Sequence, residues 1–418
     1  MNVKVEDNFV INSGLRKLDR LTKYTDPIRF NSMKEHVRPL FEEIQAHKAS
    51  DVFIQEGKPI TCRVNGVLYA VTYKLLDGGE ASWLLSEIAG QTATASINAK
   101  QAINKRFGLF DKDKDARNIS GSRILNSYRV NVSGTMYLGA DSFQICMRSI
   151  PSSPPHFSEV GLDEAFVKKL CPQSGIVLFS GVTGSGKTTT QASIIKYIME
   201  NNTDIKGNII THEDPIEFTF ENIMSSHSII AQSQIPENFA SFEDANREAM
   251  RRKPALIMLG ELRDESTISS ATEASLTGHP VFGTVHSNTI AEIIPRLLSR
   301  FPVEVRGSNL YDILSCASAF IAQRLVPKVD GRLMAVREHV IFSKKLKKEL
   351  RDFDDHKEMN RFMSTLLDER GSFEPNALIS KTFAEQGKKL LHEGVINDEG
   401  YRALMEFGEQ SEVDFGDE

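Results

Sequence analysis

The chain has 418 residues, enough for two or three domains that each bury a core. Its 25% charged and 40% hydrophobic residues are typical of a globular protein, and no apolar run approaches the roughly 20 residues of a membrane-spanning helix. The net charge of −6 excludes a general attraction to nucleic acid, and four widely spaced cysteines without a C-x-x-C pair indicate reduced thiols in a cytosolic protein rather than a zinc site.

The first third of the chain predicts a lead-in segment and a compact α+β domain. Residues 1–32 show no clear periodicity, which predicts a loosely structured lead-in. The N-terminal α+β domain is expected over residues 33–150, beginning with a helix over 33–47. Its further predicted elements are strands within 49–70, a helical stretch around 80–105, a polar loop near 111–121, and strands at Ser127–Ser133 and Phe143–Ile150.

A proline-rich segment, residues 151–155, predicts a linker after this domain. Pro151, Pro154 and Pro155 fit neither a helix interior nor a central strand. We therefore place the domain boundary in this segment and expect a hinge between two rigid bodies.

A glycine-rich turn between a strand and a helix organises the second domain, expected over residues 156–340. The motif G-x-x-x-x-G-K-T follows the apolar run Ile176–Phe179 and predicts a P-loop for a nucleoside triphosphate; the alternative is a plain glycine-rich turn. In a P-loop, backbone N–H groups hold phosphate oxygens, Lys187 reaches the β- and γ-phosphates, and the Thr188 hydroxyl holds Mg²⁺. The residues of this loop predicted to bind the nucleotide are Gly181, Val182, Thr183, Gly184, Ser185, Gly186, Lys187, Thr188 and Thr189.

Three carboxylates follow the next predicted strand, Gly207–Thr211. Glu213, Asp214 and Glu217 lie where a parallel strand ends, and such a group suits metal coordination or the activation of a water molecule. A cluster of this kind is often only a solvated turn with a helix cap. Its position after a second strand of a P-loop domain favours the functional interpretation.

A third predicted strand, Ala255–Leu259, resembles a Walker B element, which delivers an acid towards Mg²⁺ and water. Gly260 stands where many P-loop proteins have an aspartate, so Glu261 is expected to be the acid. A helix is predicted over 265–277.

Two histidines, His279 and His286, stand at the ends of a further strand. A lone histidine is usually structural, and His279 fits a packing role. His286 lies at the carboxyl end, beside the expected phosphate site, where it can sense the γ-phosphate. Strands that alternate with helices throughout 172–340 predict a RecA-like parallel α/β sheet.

The C-terminal part predicts a helical region over residues 341–405. The basic run Lys344–Lys348 is followed by acids, which favours a solvated helix face over a nucleic-acid site. Residues 406–418 carry six acids and no base, which predicts a disordered tail or a partner contact.

Together these motifs resemble the secretion and type IV pilus ATPase superfamily, which contains pilus retraction motors and type II and type IV secretion ATPases. The resemblance covers about residues 35–405. Its motifs are the P-loop, Glu213–Glu217, Gly260–Asp264, Thr277–His286 and Ile321–Leu325, with Ala49–Asp51, Gly57–Pro59, Arg63–Gly66, Tyr128–Asn131 and Arg148–Pro151 in the N-terminal domain.

The resemblance implies a RecA-like ATPase domain with a smaller PAS-like N-terminal domain, assembled as a homo-hexamer. The ring would be cytoplasmic and peripheral to the inner membrane, bound to secretion-machine components and moving a protein or DNA–protein substrate without sequence-specific nucleic-acid binding. ATP and Mg²⁺ are the implied cofactors. Glu213 would be the base or orient the water, Glu261 would join Thr188 on the Mg²⁺ side, and Lys187 and His286 would complete the catalytic set.

The same resemblance implies that arginines of the N-terminal domain reach the phosphates. They correspond to Arg129 and Arg148, for which the alternative is an exposed position on a strand. Ser127 stands where retraction ATPases commonly have another arginine, so that contact is missing or supplied elsewhere.

Departures from the family pattern favour one branch. His212 replaces the usual aliphatic residue before Glu213, and the tetracysteine zinc insert of type II secretion and pilus-extension ATPases is absent. The missing insert favours the branch of pilus retraction and type IVB secretion ATPases. Within that branch, the stretch Ile230–Phe242 and the long C-terminal region favour the type IVB secretion and conjugative-transfer ATPases.

The leading hypothesis is an ATP-hydrolysing hexameric motor that powers substrate transfer through a type IVB or conjugative (plasmid-transfer) secretion system. A type IV pilus retraction ATPase is the alternative within the class. An ATP-binding docking adaptor with little turnover would be expected to lack Glu213 and Glu261, and the acidic balance disfavours a nucleic-acid translocase. ATP is expected to close the N-terminal domain onto the nucleotide domain about residues 151–155.

Overall fold

The structure is a computed structural model that describes Leu15, residues 25–109, 126–151 and 153–351, Phe353 and residues 356–409. It divides into two compact units, residues 1–152 and 153–418. The polar loop predicted near 111–121, most of the predicted lead-in and the end of the predicted tail lie outside the described residues.

In its described residues, the first unit is an antiparallel sheet of six strands with three α-helices. A π-helical turn, Met33–Val37, leads directly into the first helix. The elements are α1 (Arg38–Ala46), β1 (Asp51–Gln55), β2 (Thr61–Val64), β3 (Val67–Ala70), α2 (Gly78–Ala89), α3 (Ala93–Asn98), β4 (Ile103–Leu109), β5 (Asn126–Tyr137) and β6 (Ala140–Ile150). The strand order is β3-β2-β1-β6-β5-β4, and each neighbouring pair is antiparallel.

Alternation along β5 separates a core face of this sheet from an outer face. Tyr128, Val130 and Val132 are buried, and the Tyr128 ring packs against Phe41 of α1 at 5.1 Å. Arg129 points to the opposite face and is exposed.

The helix predicted over 80–105 is wrong in its last part. Gly90, with a φ of 97°, ends α2, and α3 ends at Asn98. The chain then pairs Ile103–Leu109 with β5 as an edge strand, because the backbone hydrogen bonds of that pairing outweigh the local helical periodicity.

The predicted lead-in also contains a fixed segment, contrary to expectation. Phe30 is buried, and its backbone N–H donates to Glu80 Oε1 at 2.8 Å. The Asp26 carboxylate accepts hydrogen bonds from the backbone N–H groups of Tyr73 and Lys74. This part of the segment is therefore integral to the first unit.

The second unit, as far as the structure describes it, is a seven-stranded sheet with helices on both faces. Its elements are α4 (Glu164–Lys169), β7 (Gly175–Ser180), α5 (Lys187–Glu200), β8 (Gly207–Glu213), β9 (Ser228–Gln234), α6 (Phe242–Arg251), β10 (Pro254–Leu259), α7 (Glu265–Leu276), β11 (Pro280–Val285), α8 (Ile293–Leu298), a 3-10 turn (Val303–Val305), α9 (Arg306–Cys316), β12 (Ala317–Pro327), β13 (Leu333–Ile341), α10 (Lys344–Arg351), α11 (His356–Arg370), α12 (Phe383–His392) and α13 (Asp398–Glu409).

The strand order of this sheet is β13-β12-β7-β11-β10-β8-β9, and its neighbours are parallel except for β12 and β13. The prediction of a parallel sheet is wrong for β13, because the short connection after Pro327 allows only an antiparallel return. The predicted acidic tail is wrong at its start, since α13 continues to Glu409.

Strand β7 is an interior strand of the sheet, between β12 and β11, and is buried along its whole length. Ile176 and Leu178 join the core beneath α7, α8 and α9, whereas Val177 and Phe179 join the core beneath α4 and α5. This explains the continuous apolar run, because both faces of a central parallel strand are covered. In the described part of the chain, no helix combines the length and apolarity needed to cross a bilayer.

Candidate nucleotide-binding site

The glycine-rich loop connects the carboxyl end of β7 to the first residue of α5, Lys187. Gly186 precedes the helix with a φ of 84°, and no side chain among the described residues caps this helix. A side chain at Gly181, with a φ of 141°, would place its Cβ 2.4 Å from the Gln323 carbonyl oxygen. The loop is therefore held tightly on one side, and the helix N-terminus is open to an anion.

The loop fits a phosphate group. The Ser185 hydroxyl is buried and has no hydrogen-bond partner within the described part of the structure. A Cβ at Gly184 would have nothing within 4 Å, so the loop tip faces open space. A polar atom without a partner beside an uncapped helix N-terminus is what an anion site requires. The remaining predicted loop residues are half-buried or exposed: Val182, Thr183, Thr188 and Thr189.

Lys187 folds back over the loop. Its Nζ atom donates to the carbonyl oxygens of Gly181 and Val182 at 2.7 and 3.0 Å. Burial lowers the pKa of Lys187 to about 8, and the Glu261 carboxylate partly offsets this effect. The ammonium group is thus mostly charged at pH 7 and is held by two neutral carbonyls.

Glu261 and His286 lie together at the ends of the neighbouring strands β10 and β11. Glu261 Oε1 is 3.7 Å from His286 Nε2. Burial lowers the pKa of His286, and Lys187 lowers it further, whereas Glu261 raises it. The structure therefore brings the three predicted residues Lys187, Glu261 and His286 into one electrostatically coupled group, with a neutral imidazole at pH 7.

Glu213 is buried at the carboxyl end of β8. Its Oε1 atom accepts hydrogen bonds from Thr211 Oγ1 at 2.6 Å and from Gln232 Nε2 at 3.1 Å. Burial raises the pKa of Glu213 to about 7, although both hydrogen bonds lower it. A carboxyl group with such a pKa is suited to accept and release a proton near neutral pH.

Gly260 brings the two acidic segments together. Its backbone N–H donates to the His212 carbonyl oxygen at 2.8 Å. A Cβ at this position would lie 3.1 Å from that oxygen and 3.4 Å from Glu213 Cα. The close approach of β8 and β10 therefore explains why glycine replaces aspartate here, and it places Glu213 beside the residue that precedes Glu261.

The proposed Mg²⁺ ligands are oxygen atoms, as Mg²⁺ prefers. Thr188 lies in the first turn of α5, and the Glu261 side chain is 38% exposed. The described residues contain no group of three or more His, Cys, Asp or Glu side chains arranged to hold a metal ion. A Mg²⁺ ion at this edge would therefore need phosphate oxygens or water as further ligands.

The predicted arginines lie in the first unit. Arg129 of β5 and Arg148 of β6 are directly opposite each other, and both are exposed. Arg148 Nε donates to Asp51 Oδ1 at 3.0 Å. Their contact with phosphate stays a prediction.

A third arginine, Arg106 of β4, was missed because its strand was predicted to be helical. It pairs in register with Arg129, and its Nη2 atom donates to the Ser127 hydroxyl at 3.1 Å. Directly paired residues share a face of the sheet, so Arg106, Arg129 and Arg148 form one row. Arg106 thus places a guanidinium group beside Ser127, the position at which retraction ATPases commonly have an arginine.

Sequence reasoning also missed the side chains that hold Glu213. Thr211 stands two residues before it, a spacing that puts both side chains on the same face of a strand. That signal was available in the sequence. Gln232 comes from β9, a strand that was not predicted, so no local pattern indicated it.

A glycine-rich loop between a central parallel strand and a helix, with acids at the ends of neighbouring strands, defines the class of P-loop proteins. The family described as Type II/IV secretion system protein matches residues 29–411. The chain therefore belongs to the Type II/IV secretion system protein family, and the resemblance inferred from its motifs is confirmed.

Individual relatives agree with this assignment. The type IV pilus retraction ATPase PilT of Pseudomonas aeruginosa is 32% identical over 293 residues, which span 70% of this chain and 78% of PilT. The X-ray structure of the Legionella pneumophila ATPase DotB superimposes with a TM-score of 0.78 and 33% identity, covering 92% of this chain and 98% of DotB. The Yersinia pseudotuberculosis ATPase DotB gives a TM-score of 0.76 and 39% identity, covering 94% of this chain and 98% of that structure.

Proposed function

We propose that this protein is an ATP-hydrolysing hexameric motor that powers substrate transfer through a type IVB or conjugative secretion system. The observation that carries the proposal is the group formed by Lys187, Glu261 and His286, with Glu213 placed beside Gly260. All three relatives described above are named ATPases, and the DotB structures match nearly the whole chain.

Each residue has a distinct role in this proposal. The loop from Gly181 to Thr189 and the N-terminus of α5 hold the ATP phosphates, and Lys187 leaves its two carbonyl partners to bind the β- and γ-phosphates. Thr188 and Glu261 hold Mg²⁺, which would neutralise charge on the phosphates. Neutral His286 donates its single N–H towards the γ-phosphate.

Glu213 is proposed as the general base. Its pKa of about 7 matches the requirement that a base be ionised yet accept a proton near neutral pH. Thr211 and Gln232 hold Oε1 and so fix the orientation of the carboxylate towards the attacking water. The row of Arg106, Arg129 and Arg148 would stabilise charge on the γ-phosphate.

The family assignment also supports a proposal for the assembly and location. We propose a homo-hexamer, cytoplasmic and peripheral to the inner membrane, that binds secretion-machine components. RecA-like and PAS-like folds are proposed for the second and first units. A type IV pilus retraction motor is the second candidate, because PilT covers 70% of this chain at 32% identity.

Steady-state ATPase assays, each with the oligomeric mass measured in ATP, test the proposal. The wild type should hydrolyse ATP as a hexamer, Lys187→Ala should bind ATP poorly, and Glu213→Gln should assemble but lose at least 100-fold in kcat, the lower range for general-base loss. Glu200→Gln, which removes an exposed charge at the far end of α5, should match the wild type. A wild type that remains monomeric and does not hydrolyse ATP would contradict the motor and favour a docking adaptor.

A further inference from the structure

A buried polar network lies beneath the P-loop and contains none of the acids or histidines of the candidate site. Its centre is Gln323 of β12, which is 2% exposed. Gln323 Nε2 donates to the Ser185 carbonyl oxygen at 2.6 Å. Gln323 Oε1 accepts from Thr190 Oγ1 at 2.8 Å and from Arg337 Nε at 2.7 Å. One amide therefore joins the P-loop, the helix that follows it and strand β13.

Arg337 anchors this network from β13. Its Nη2 atom donates to the Val160 carbonyl at 2.7 Å and to Thr190 Oγ1 at 3.2 Å, and Nη1 donates to the Gly161 carbonyl at 3.4 Å. Burial lowers the pKa of Arg337 to about 10, so the group stays charged at neutral pH. Within the described residues, its hydrogen-bond partners are all neutral.

The backbone of the P-loop rests directly on Gln323. A Cβ at Gly181 would lie 2.4 Å from the Gln323 carbonyl oxygen, and a Cβ at Gly186 would lie 2.9 Å from Gln323 Nε2. Both ends of the loop are thus in contact with one residue. Movement of that residue would change the shape of the loop as a whole.

We propose that Gln323 is a positioning residue that fixes the nucleotide-binding shape of the P-loop, with Thr190 and Arg337 fixing the amide in turn. The amide donor holds the Ser185 carbonyl away from the phosphate site, so that the loop presents N–H groups to the anion. This inference rests on the proposed ATPase function and identifies side chains that set the affinity of the same site without touching the nucleotide.

Gln323→Glu provides the sharpest test in the full chain. The carboxylate is the same size and still accepts from Arg337 and Thr190, but it cannot donate to the Ser185 carbonyl. The Kd for the fluorescent analogue mant-ADP with Mg²⁺ should rise about tenfold, because an unpaired buried carbonyl next to a carboxylate moves the loop. Circular dichroism should show a folded protein whose Tm is not lower, since the new carboxylate pairs with Arg337.

Thr190 provides an independent test with a conservative rescue. Thr190→Val removes the hydroxyl and should raise the mant-ADP Kd severalfold, whereas Thr190→Ser keeps it and should remain within about twofold of the wild type. Thr272→Val is the matched control, because it removes a buried hydroxyl that donates to the Ile268 carbonyl within α7. It should lower the Tm without changing the Kd.

The outcomes separate the two proposals. If the wild type binds mant-ADP while Gln323→Glu and Thr190→Val bind it within twofold, the positioning role is overturned and the nucleotide site stands. If Thr190→Ser is as impaired as Thr190→Val, packing rather than the hydroxyl is responsible, which also overturns the role. A wild type that does not bind the analogue overturns the proposed function and this inference with it.

Discussion

Burial of Glu213 affects both its proposed role as a base and the stability of the second unit. The carboxyl group has a pKa of about 7 in the folded chain, compared with an ordinary value of about 4.3. Between these two pH values the folded chain retains a proton that the unfolded chain has released. The protonated carboxyl group therefore makes its full contribution to the free energy of unfolding at low pH. This contribution is lost as the pH rises through 7.

Glu213→Gln should accordingly stabilise the protein at pH 8. The neutral amide avoids burying a charge, and we expect the free energy of unfolding to rise by about 3–4 kcal/mol at pH 8 and hardly at all at pH 4.5. Urea denaturation at the two pH values measures the difference. Glu200→Gln, which removes an exposed charge, should show no such pH dependence. An equal effect of Glu213→Gln at both pH values would contradict the assigned burial effect.

The contact between β8 and β10 at Gly260 couples two acidic segments that are far apart in sequence. Gly260→Ala would place a methyl group 3.1 Å from the His212 carbonyl and 3.4 Å from Glu213 Cα. The strand ends must separate, which should lower stability by about 1–3 kcal/mol and reduce kcat at least tenfold. Thermal unfolding and ATPase assays measure both effects.

Gly307→Ala is the matched control for this change. Gly307 lies in α9, and a Cβ there has no neighbouring atom within 4 Å among the described residues. Stability should be unchanged or slightly higher, because alanine is the better helix former, and kcat should be that of the wild type. Equal activity of Gly260→Ala and Gly307→Ala would show that the close approach of the strands is not needed.

The elements of the second unit follow their sequence signals more faithfully than those of the first. The sequence predicted the interior strands β7, β8, β10 and β11, because each carries a continuous apolar run. Each run ends in a polar motif, which also indicated the functional end of the strand. Strand β4 is an edge strand, and its apolar residues are spaced as in a helix. Only the pairing with β5 defines it, and Arg106 was missed for this reason.

The residues of the candidate site likewise divide into those that the sequence predicts and those that it does not. Lys187, Glu261 and His286 stand at fixed spacings from strands and were predicted from the sequence. Gln323 belongs to a motif that resembles the family, but its role depends on Arg337, 14 residues away across an antiparallel pair. Such partners come together only through the sheet, and no local spacing indicates them.

The division into two compact units at residue 152 makes relative motion of the units a testable part of the proposed motor. We expect ATP to close the first unit onto the second about residues 151–155, as the proline-rich segment predicts. Dyes at Glu87→Cys of α2 and Glu369→Cys of α11, both exposed, should show a change in energy transfer on addition of ATP. Both cysteines are introduced into a Cys146→Ser variant, so that Cys146 does not react with the dyes. The other three cysteines are buried and can remain.

Lys187→Ala with the same dyes is the control for this measurement. It should show no change in energy transfer, because it removes the proposed phosphate contact. Identical transfer efficiency of the labelled wild type with and without ATP would contradict a hinge at this segment.

Strand β12 carries two neighbouring polar residues that point to opposite faces of the sheet. Gln323 supports the P-loop, whereas Arg324 donates to the carbonyl oxygens of Asn288, just after His286, and of Leu404 in α13. A one-residue slip of β12 would exchange these two side chains between the faces. The P-loop would then rest on a guanidinium group next to that of Arg337, and the loop after His286 would lose its link to α13. Strand pairing at the edge of the sheet thus determines whether one or two positive charges lie beneath the phosphate-binding loop.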